Sequence, residues 1–159
     1  MTERRASFHS NSPDSTAKLA KRLGARLSPG DCVLLSGQLG SGKSHLARAL
    51  IRSLLIEPED IPSPTFTLVQ TYDTADAELW HADLYRLSAP DQVIELGLID
   101  AFETAISLVE WPERLEGFAP QNALSITLSY AQQSEARDIA FEWVDEKWTP
   151  IVRSMCHGD

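Results

Sequence analysis

Cys32-Val33-Leu34-Leu35-Ser36-Gly37-Gln38-Leu39-Gly40-Ser41-Gly42-Lys43-Ser44 is the stretch that decides the fold. Its first part, Cys32 to Ser36, is a short apolar run and predicts a strand buried on both faces. Gly37 to Ser44 then fits the phosphate-loop pattern GxxxxGK(S/T). From Lys43 onward the spacing becomes helical, with Leu46, Leu50 and Leu54 on one stripe and Arg48 and Arg52 elsewhere. Strand, loop and helix therefore follow in the order the loop requires. At an average glycine usage of about 7% in proteins, the bare pattern would arise by chance in about 0.5% of chains of this length, and the flanking elements lower that further. The match is therefore read as a nucleotide phosphate site rather than a coincidence.

The residue types follow from the chemistry. Glycines let successive backbone N–H groups converge on phosphate oxygens without side chains in the way. Lys43 can neutralise the outer phosphates, the start of the helix adds partial positive charge, and the Ser44 hydroxyl suits magnesium. The plainer alternative is a glycine-rich turn from strand to helix with a capping serine.

Working outward, residues 1–10 read as a variable arm. Ser12-Pro13-Asp14 reads as an N-cap, a first-turn proline and an acid matched to the helix dipole, and Leu19, Leu23 and Leu27 form one stripe. A helix over 13–27 is predicted, ending near Ser28-Pro29-Gly30. Beyond the loop helix, 57–64 is a connection, and 66–72 and 78–84 are strands joined by the turn Asp73 to Ala77. Residues 92–102 are predicted helical, 106–110 form a buried strand closed by Trp111-Pro112, and 123–130 pairs with 137–143. Residues from about 145 to 159 receive no assignment. The expected fold is one α/β domain over 1–159, a mixed sheet of the P-loop NTPase kind flanked by helices, with antiparallel hairpin strands.

Composition agrees with one domain, since 159 residues at 43% hydrophobic content can bury a proper core. No apolar run approaches the ~18–20 residues of a membrane helix, and the start MTERRASFHS lacks the apolar centre of a secretory signal, so a soluble cytoplasmic protein is expected. Cys32 and Cys156 stand alone, without disulfide or zinc spacing. The net charge of −9 opposes non-specific attraction to phosphate backbones, so any RNA involved is expected to be held by another subunit.

A P-loop enzyme also needs a carboxylate near the metal and a group that orients the attacking water. Glu110 directly follows Ile106-Ser107-Leu108-Val109, as a metal-reaching carboxylate at a strand end would. Asp83 ends the alternating run Leu79-Trp80-His81-Ala82 and shares a face with His81. Taken alone, either acid is as consistent with a solvated strand terminus.

GQLGSGKS, SPTFTLVQTY, HADLYRL, ELGL and VEWPE occur in the order characteristic of TsaE (YjeE) proteins, and over Gly37 to Glu113 the chain resembles that family. The resemblance implies an ATPase subunit, with ATP and magnesium as cofactors. It also implies action with TsaB and TsaD in forming threonylcarbamoyladenosine on tRNAs that read codons beginning with A, the tRNA being met only through the complex. By motif position Ser44 and Glu110 resemble the magnesium ligands, Asp83 the acid at the γ-phosphate, and Thr65 a switch-loop residue. Gly37, Leu39, Gly40, Ser41, Gly42, Lys43, Ser44 and His45 follow as nucleotide-binding, with catalysis assigned to Asp83, Lys43 and Glu110. Thr16 and Arg137 lie in looser matches where the family contacts nucleotide. Gln38 and Ser44 depart from the commoner Asp and Thr; serine offers magnesium the same hydroxyl. His45 is less usual and has no assigned consequence.

Other readings stand beside these. His81 is either a proton relay or a histidine that holds Asp83 in place. Trp111 either docks a partner or packs and ends its strand, and Tyr85 and Arg86 either meet a partner or lie on plain surface. For the whole chain the principal alternative is a small-molecule P-loop kinase, although no Arg-rich lid cluster follows Glu110. A GTP switch lacks NKxD and the glycine of DxxG. A binding module using nucleotide only structurally predicts that Asp83 and Glu110 are dispensable.

Overall fold

The structure is a computed structural model and describes residues 4–38, 40–57, 60–61, 68–89, 91–132 and 134–157. Strands β1 (Arg4–Ser10), β2 (Cys32–Gly37), β3 (Val69–Asp73), β4 (Glu78–Asp83), β5 (Ile106–Glu110), β6 (Leu124–Tyr130) and β7 (Arg137–Trp143) form one seven-stranded sheet in the order β1-β7-β6-β2-β5-β4-β3. The central strands β6, β2, β5 and β4 run parallel, and β3 and the β7–β1 pair add antiparallel edges. This is the expected mixed α/β sheet with hairpin strands.

Alternation along the central strands sends side chains to two cores. Val33, Leu35, Ile106 and Leu108 pack beneath α1 (Pro13–Gly24), α2 (Lys43–Leu54) and the C-terminal helix, with Leu19, Leu23, Leu46, Leu50, Trp148 and Met155. Cys32, Leu34 and Val109 face the other way, against Val93 of the short helix α3 (Gln92–Glu95), Leu98 and Phe102 of α4 (Leu98–Thr104), and Leu115 of a 3-10 turn over Pro112–Phe118. Burial on both faces explains the unbroken apolar runs of β2 and β5. The thiol of Cys32 lies fully inside, and burial pushes its pKa far above the ordinary value.

Helix α1 starts as expected, with the Ser12 side chain accepting from the Ser15 N–H at 3.1 Å and Pro13 in the first turn. It ends at Gly24, and Leu27 enters the core from a turn, its N–H bonded to the Gly24 carbonyl at 3.2 Å. The helix expected over 92–102 is divided into α3 and α4. Gly97 causes the break: its φ is +84°, and an added Cβ would stand 3.3 Å from the Trp80 ring.

Residues 4–10, expected as part of an arm, form the edge strand β1 along β7, in register from Arg4↔Trp143 to Ser10↔Arg137. The unassigned C-terminal part forms α5 (Trp148–His157), whose Trp148, Ile151, Val152 and Met155 enter the first core. Among the described residues no helix is long and apolar enough to cross a membrane. The predicted strand start at Phe66 lies outside the described residues.

Candidate functional site

At the C-terminal ends of the parallel strands, β2 gives way to the glycine-rich loop and the loop to α2. Gly37, at φ +144°, has no room for a side chain: a Cβ would meet the Leu128 carbonyl oxygen at 2.6 Å and the Ser41 hydroxyl oxygen at 2.5 Å. The loop thus lies tight against β6. Among the described residues no side chain caps α2 at Gly42, which leaves the N–H groups of the first turn for the loop's concave side. Leu39 lies outside the described residues.

Parity assembles the acidic side of the site. Ile106, Leu108 and Glu110 share one face of β5, and Leu79, His81 and Asp83 share the same face of β4, with Asp83 opposite Glu110 in register. That face looks toward α2, which begins with Lys43 and Ser44. The Ser44 hydroxyl donates to Glu110 Oε1 at 2.9 Å, and His81 Nε2 lies 2.7 Å from Glu110 Oε2. Both ends of a carboxylate whose side chain is only 2% exposed are held. His81 therefore fixes Glu110; the expectation that it holds Asp83 is replaced, because the neighbouring strand brings a second carboxylate within its reach. Asp83 instead accepts from the Tyr85 backbone N–H at 3.1 Å. Burial pushes the Asp83 pKa up, the Tyr85 hydrogen bond opposes it, and the Glu110 charge adds to it.

Lys43 is buried, and its ammonium donates to the carbonyls of Gly37 and, at 3.1 Å, Gln38. It also lies over the Trp111 ring, 4.1 Å from the centroid. Burial lowers its pKa, while the charges of Glu110, Asp83 and Glu113 work the other way. Trp111 sits at φ +60°, a left-handed conformation unusual for a bulky residue, and its ring packs 4.9 Å from that of Tyr85. It thus forms one wall of the lysine's position as well as ending β5.

Adjoining clefts open on either side of the loop. One, of about 260 Å³, is lined by Gly40, Gly42, Lys43, Ser44, Arg48, Glu110 and Trp111, among others. The second, of about 290 Å³, is lined by Thr16, Ser41, Leu128, Glu135 and Arg137 and shares Gly40, Gly42 and His45 with the first. His45 Nε2 lies 2.8 Å from the Pro13 carbonyl oxygen, tying the first turn of α2 to that of α1. Thr16 is buried, its hydroxyl 2.6 Å from that of Ser10. Arg137 braces the loop by donating from Nε to the Ser41 carbonyl at 2.9 Å.

The structure thus gathers Thr16, Gly37, Gly40, Ser41, Gly42, Lys43, Ser44, His45, Asp83, Glu110 and Arg137 around one loop. Thr65 lies outside the described residues. Sequence reasoning missed Arg48, on the turn of α2 after Ser44, and Tyr130, whose ring lies 4.8 Å from the Arg137 guanidinium carbon. Helical spacing from Ser44 signals the first, and the hairpin register Tyr130↔Arg137 the second. In donor chemistry, a hydroxyl and a carboxylate already in contact are hard oxygen groups of the kind magnesium prefers, beside a lysine and free helix N–H groups suited to phosphates.

A family model described as "Threonylcarbamoyl adenosine biosynthesis protein TsaE" matches residues 10–139. The chain is 38% identical over 125 residues to a Rickettsia felis protein named "tRNA threonylcarbamoyladenosine biosynthesis protein TsaE", covering 79% of this chain and 73% of that one. A Bacillus subtilis protein of the same name is 32% identical over 148 residues, covering 92% and 91%. The crystal structure of Bacillus subtilis YdiB matches with a TM-score of 0.80 at 27% identity, covering 98% of this chain and 96% of that chain.

Proposed function

Because the chain belongs to the TsaE family, we propose that it binds and hydrolyses ATP with magnesium in the cytoplasm, acting with TsaB and TsaD to form threonylcarbamoyladenosine on tRNAs that read codons beginning with A. The observation that carries this reading is the 2.9 Å contact between the loop hydroxyl of Ser44 and the β5 carboxylate of Glu110, with Asp83 next to Glu110 on β4. A lone glycine-rich turn needs neither acid. The net charge of −9 supports tRNA contact through the partner subunits rather than through this chain.

In this mechanism Ser44 and Glu110 are the protein ligands of magnesium. When bound, the ion would offset the negative charge that develops on the outer phosphates. Gly37 to Gly42 would cradle the phosphates with backbone N–H groups, and Lys43 would exchange its loop carbonyls for outer phosphate oxygens. Asp83 would orient the attacking water and accept its proton; its raised pKa makes it a better base than an exposed aspartate. The water oxygen bonds to the γ-phosphorus as the bond from that phosphorus to the β–γ bridging oxygen breaks. Thr16, His45 and Arg137 would line the rest of the nucleotide, Leu39 would contribute from the loop, and Thr65 would sense the nucleotide state.

Turnover by the chain alone is expected to be slow and to rise with TsaB and TsaD, which can complete the site in trans. The test is magnesium-dependent phosphate release from ATP, with and without those partners, in wild type, Lys43→Ala and Glu110→Ala. Release that rises with the partners and disappears in both variants supports the reading. A phosphorylated small molecule as product would turn it into a kinase, and unstimulated release would argue against a shared site.

A further inference from the structure

The mechanism above gives His81 no part, yet it is the most deeply enclosed ionisable group near the loop. It is 0% exposed, and among the described residues its side chain makes one hydrogen-bond contact, between Nε2 and Glu110 Oε2, at 2.7 Å. Nδ1 is buried with no partner among the described residues. Burying a polar nitrogen without a partner is costly, on the order of 1–3 kcal/mol. An apolar side chain here would avoid that cost, so simple packing does not account for an imidazole between Leu79 and Asp83 on this face of β4. What an imidazole adds is one donor aimed at one carboxylate oxygen, since a carboxylate can only accept and Nε2 must carry the proton.

We infer that His81 is a positioning residue for magnesium. It clamps Oε2 of Glu110 and so leaves Oε1, the oxygen now accepting from Ser44, as the one presented to the ion. The geometry gives the clamp a reason. Glu110 has two donors, and one of them, the Ser44 hydroxyl, is itself a proposed ligand of the ion, through a lone pair of the same oxygen that donates to Oε1. Among the described residues, His81 is the donor to the carboxylate that is not itself a ligand of the ion, and without it Oε2 is released and the group can rotate and lose its aim. The inference rests on the magnesium site proposed above.

The test compares His81→Gln, whose amide nitrogen can occupy the Nε2 position, with His81→Leu, which fills the space without donating. Affinity for a non-hydrolysable ATP analogue is measured by calorimetry in magnesium and in EDTA, on variants whose near-ultraviolet circular dichroism matches wild type. Loss of a partner that orients a metal ligand typically costs about 10–100-fold in metal affinity. His81→Leu is therefore expected to lose at least about tenfold of the magnesium-dependent gain in affinity while its affinity in EDTA stays near wild type, and His81→Gln to keep most of the gain. Equal gains in wild type and His81→Leu would overturn the inference while leaving the magnesium site standing. Equal losses in Leu and Gln variants would overturn it in favour of a purely spatial role. No magnesium-dependent gain in wild type would overturn the magnesium site and the inference with it.

Discussion

Replacing Glu110 separates what the carboxylate does for folding from what it does for chemistry. In Glu110→Ala, His81 Nε2 loses its acceptor and joins Nδ1, which has no partner among the described residues. A buried donor left unpaired costs about 1–3 kcal/mol. At ~2–4 °C per kcal/mol for a domain of this size, the melting temperature should fall by about 2–12 °C. Glu110→Gln has the same length, and its amide oxygen can accept from His81 while its nitrogen donates to the Ser44 hydroxyl, which turns to accept. Both hydrogen bonds survive, so stability should stay within about 1 kcal/mol of wild type. The negative charge toward magnesium is lost in both, and phosphate release should fall by about 100-fold or more in both. Urea unfolding followed by fluorescence gives the first quantity, and a coupled phosphate assay with TsaB and TsaD the second. Glu110→Gln unfolding as readily as Glu110→Ala would refute the paired-acceptor geometry; phosphate release within threefold of wild type would refute the metal role.

Three further outcomes follow from particular contacts. Asp83→Asn should lose activity yet gain stability near neutral pH, because burial raises the folded-state pKa above the ordinary 3.8. The native state then holds its proton more readily than the unfolded chain, so wild type loses stability as pH rises through the raised value; the gap between variant and wild type should open above about 3.8 and close below it, as thermal melts at several pH values will show. Gly97→Ala should cost about 1–2 kcal/mol, since alanine is strained at φ +84° and its methyl would press on Trp80, and chemical denaturation measures this directly. Leu50→Ala, in the fully buried stripe of α2, should cost about 2–5 kcal/mol and leave nucleotide affinity near wild type at temperatures where the variant is folded.

The phosphate loop was legible because its chemistry is local: strand, glycines, lysine, hydroxyl and helix lie in sequence and need no distant partner. The carboxylates Asp83 and Glu110 were legible as strand ends. That His81 serves Glu110 was not, because it depends on β4 and β5 being neighbours in register, which no spacing within either strand encodes. Edge strand β1 escaped for a different reason. Only Ala6 and Phe8 are apolar in a run that also carries Arg4, Arg5 and His9, the charged pattern that blunts an exposed edge, and its identity comes from pairing with β7. Helix α5 was within reach, since Trp148, Ile151, Val152 and Met155 follow helical spacing. Pro150 hides that signal, but it falls in the first turn, where the missing N–H does no harm. The split between α3 and α4 was signalled by Gly97 within the helical run, though its conflict with Trp80 is visible only in three dimensions.

Arg137 grips the carbonyl of Ser41 across 96 positions of sequence, and Arg4 pairs with Trp143. On a ribosome, the glycine loop would leave the exit tunnel long before the strand that steadies it. The emerging chain can coil α2 early, but the brace on its phosphate cradle has to await the last hairpin. Slow growth of that hairpin should therefore delay capture of nucleotide more than it delays helix formation, making nucleotide retention a late timestamp of maturation.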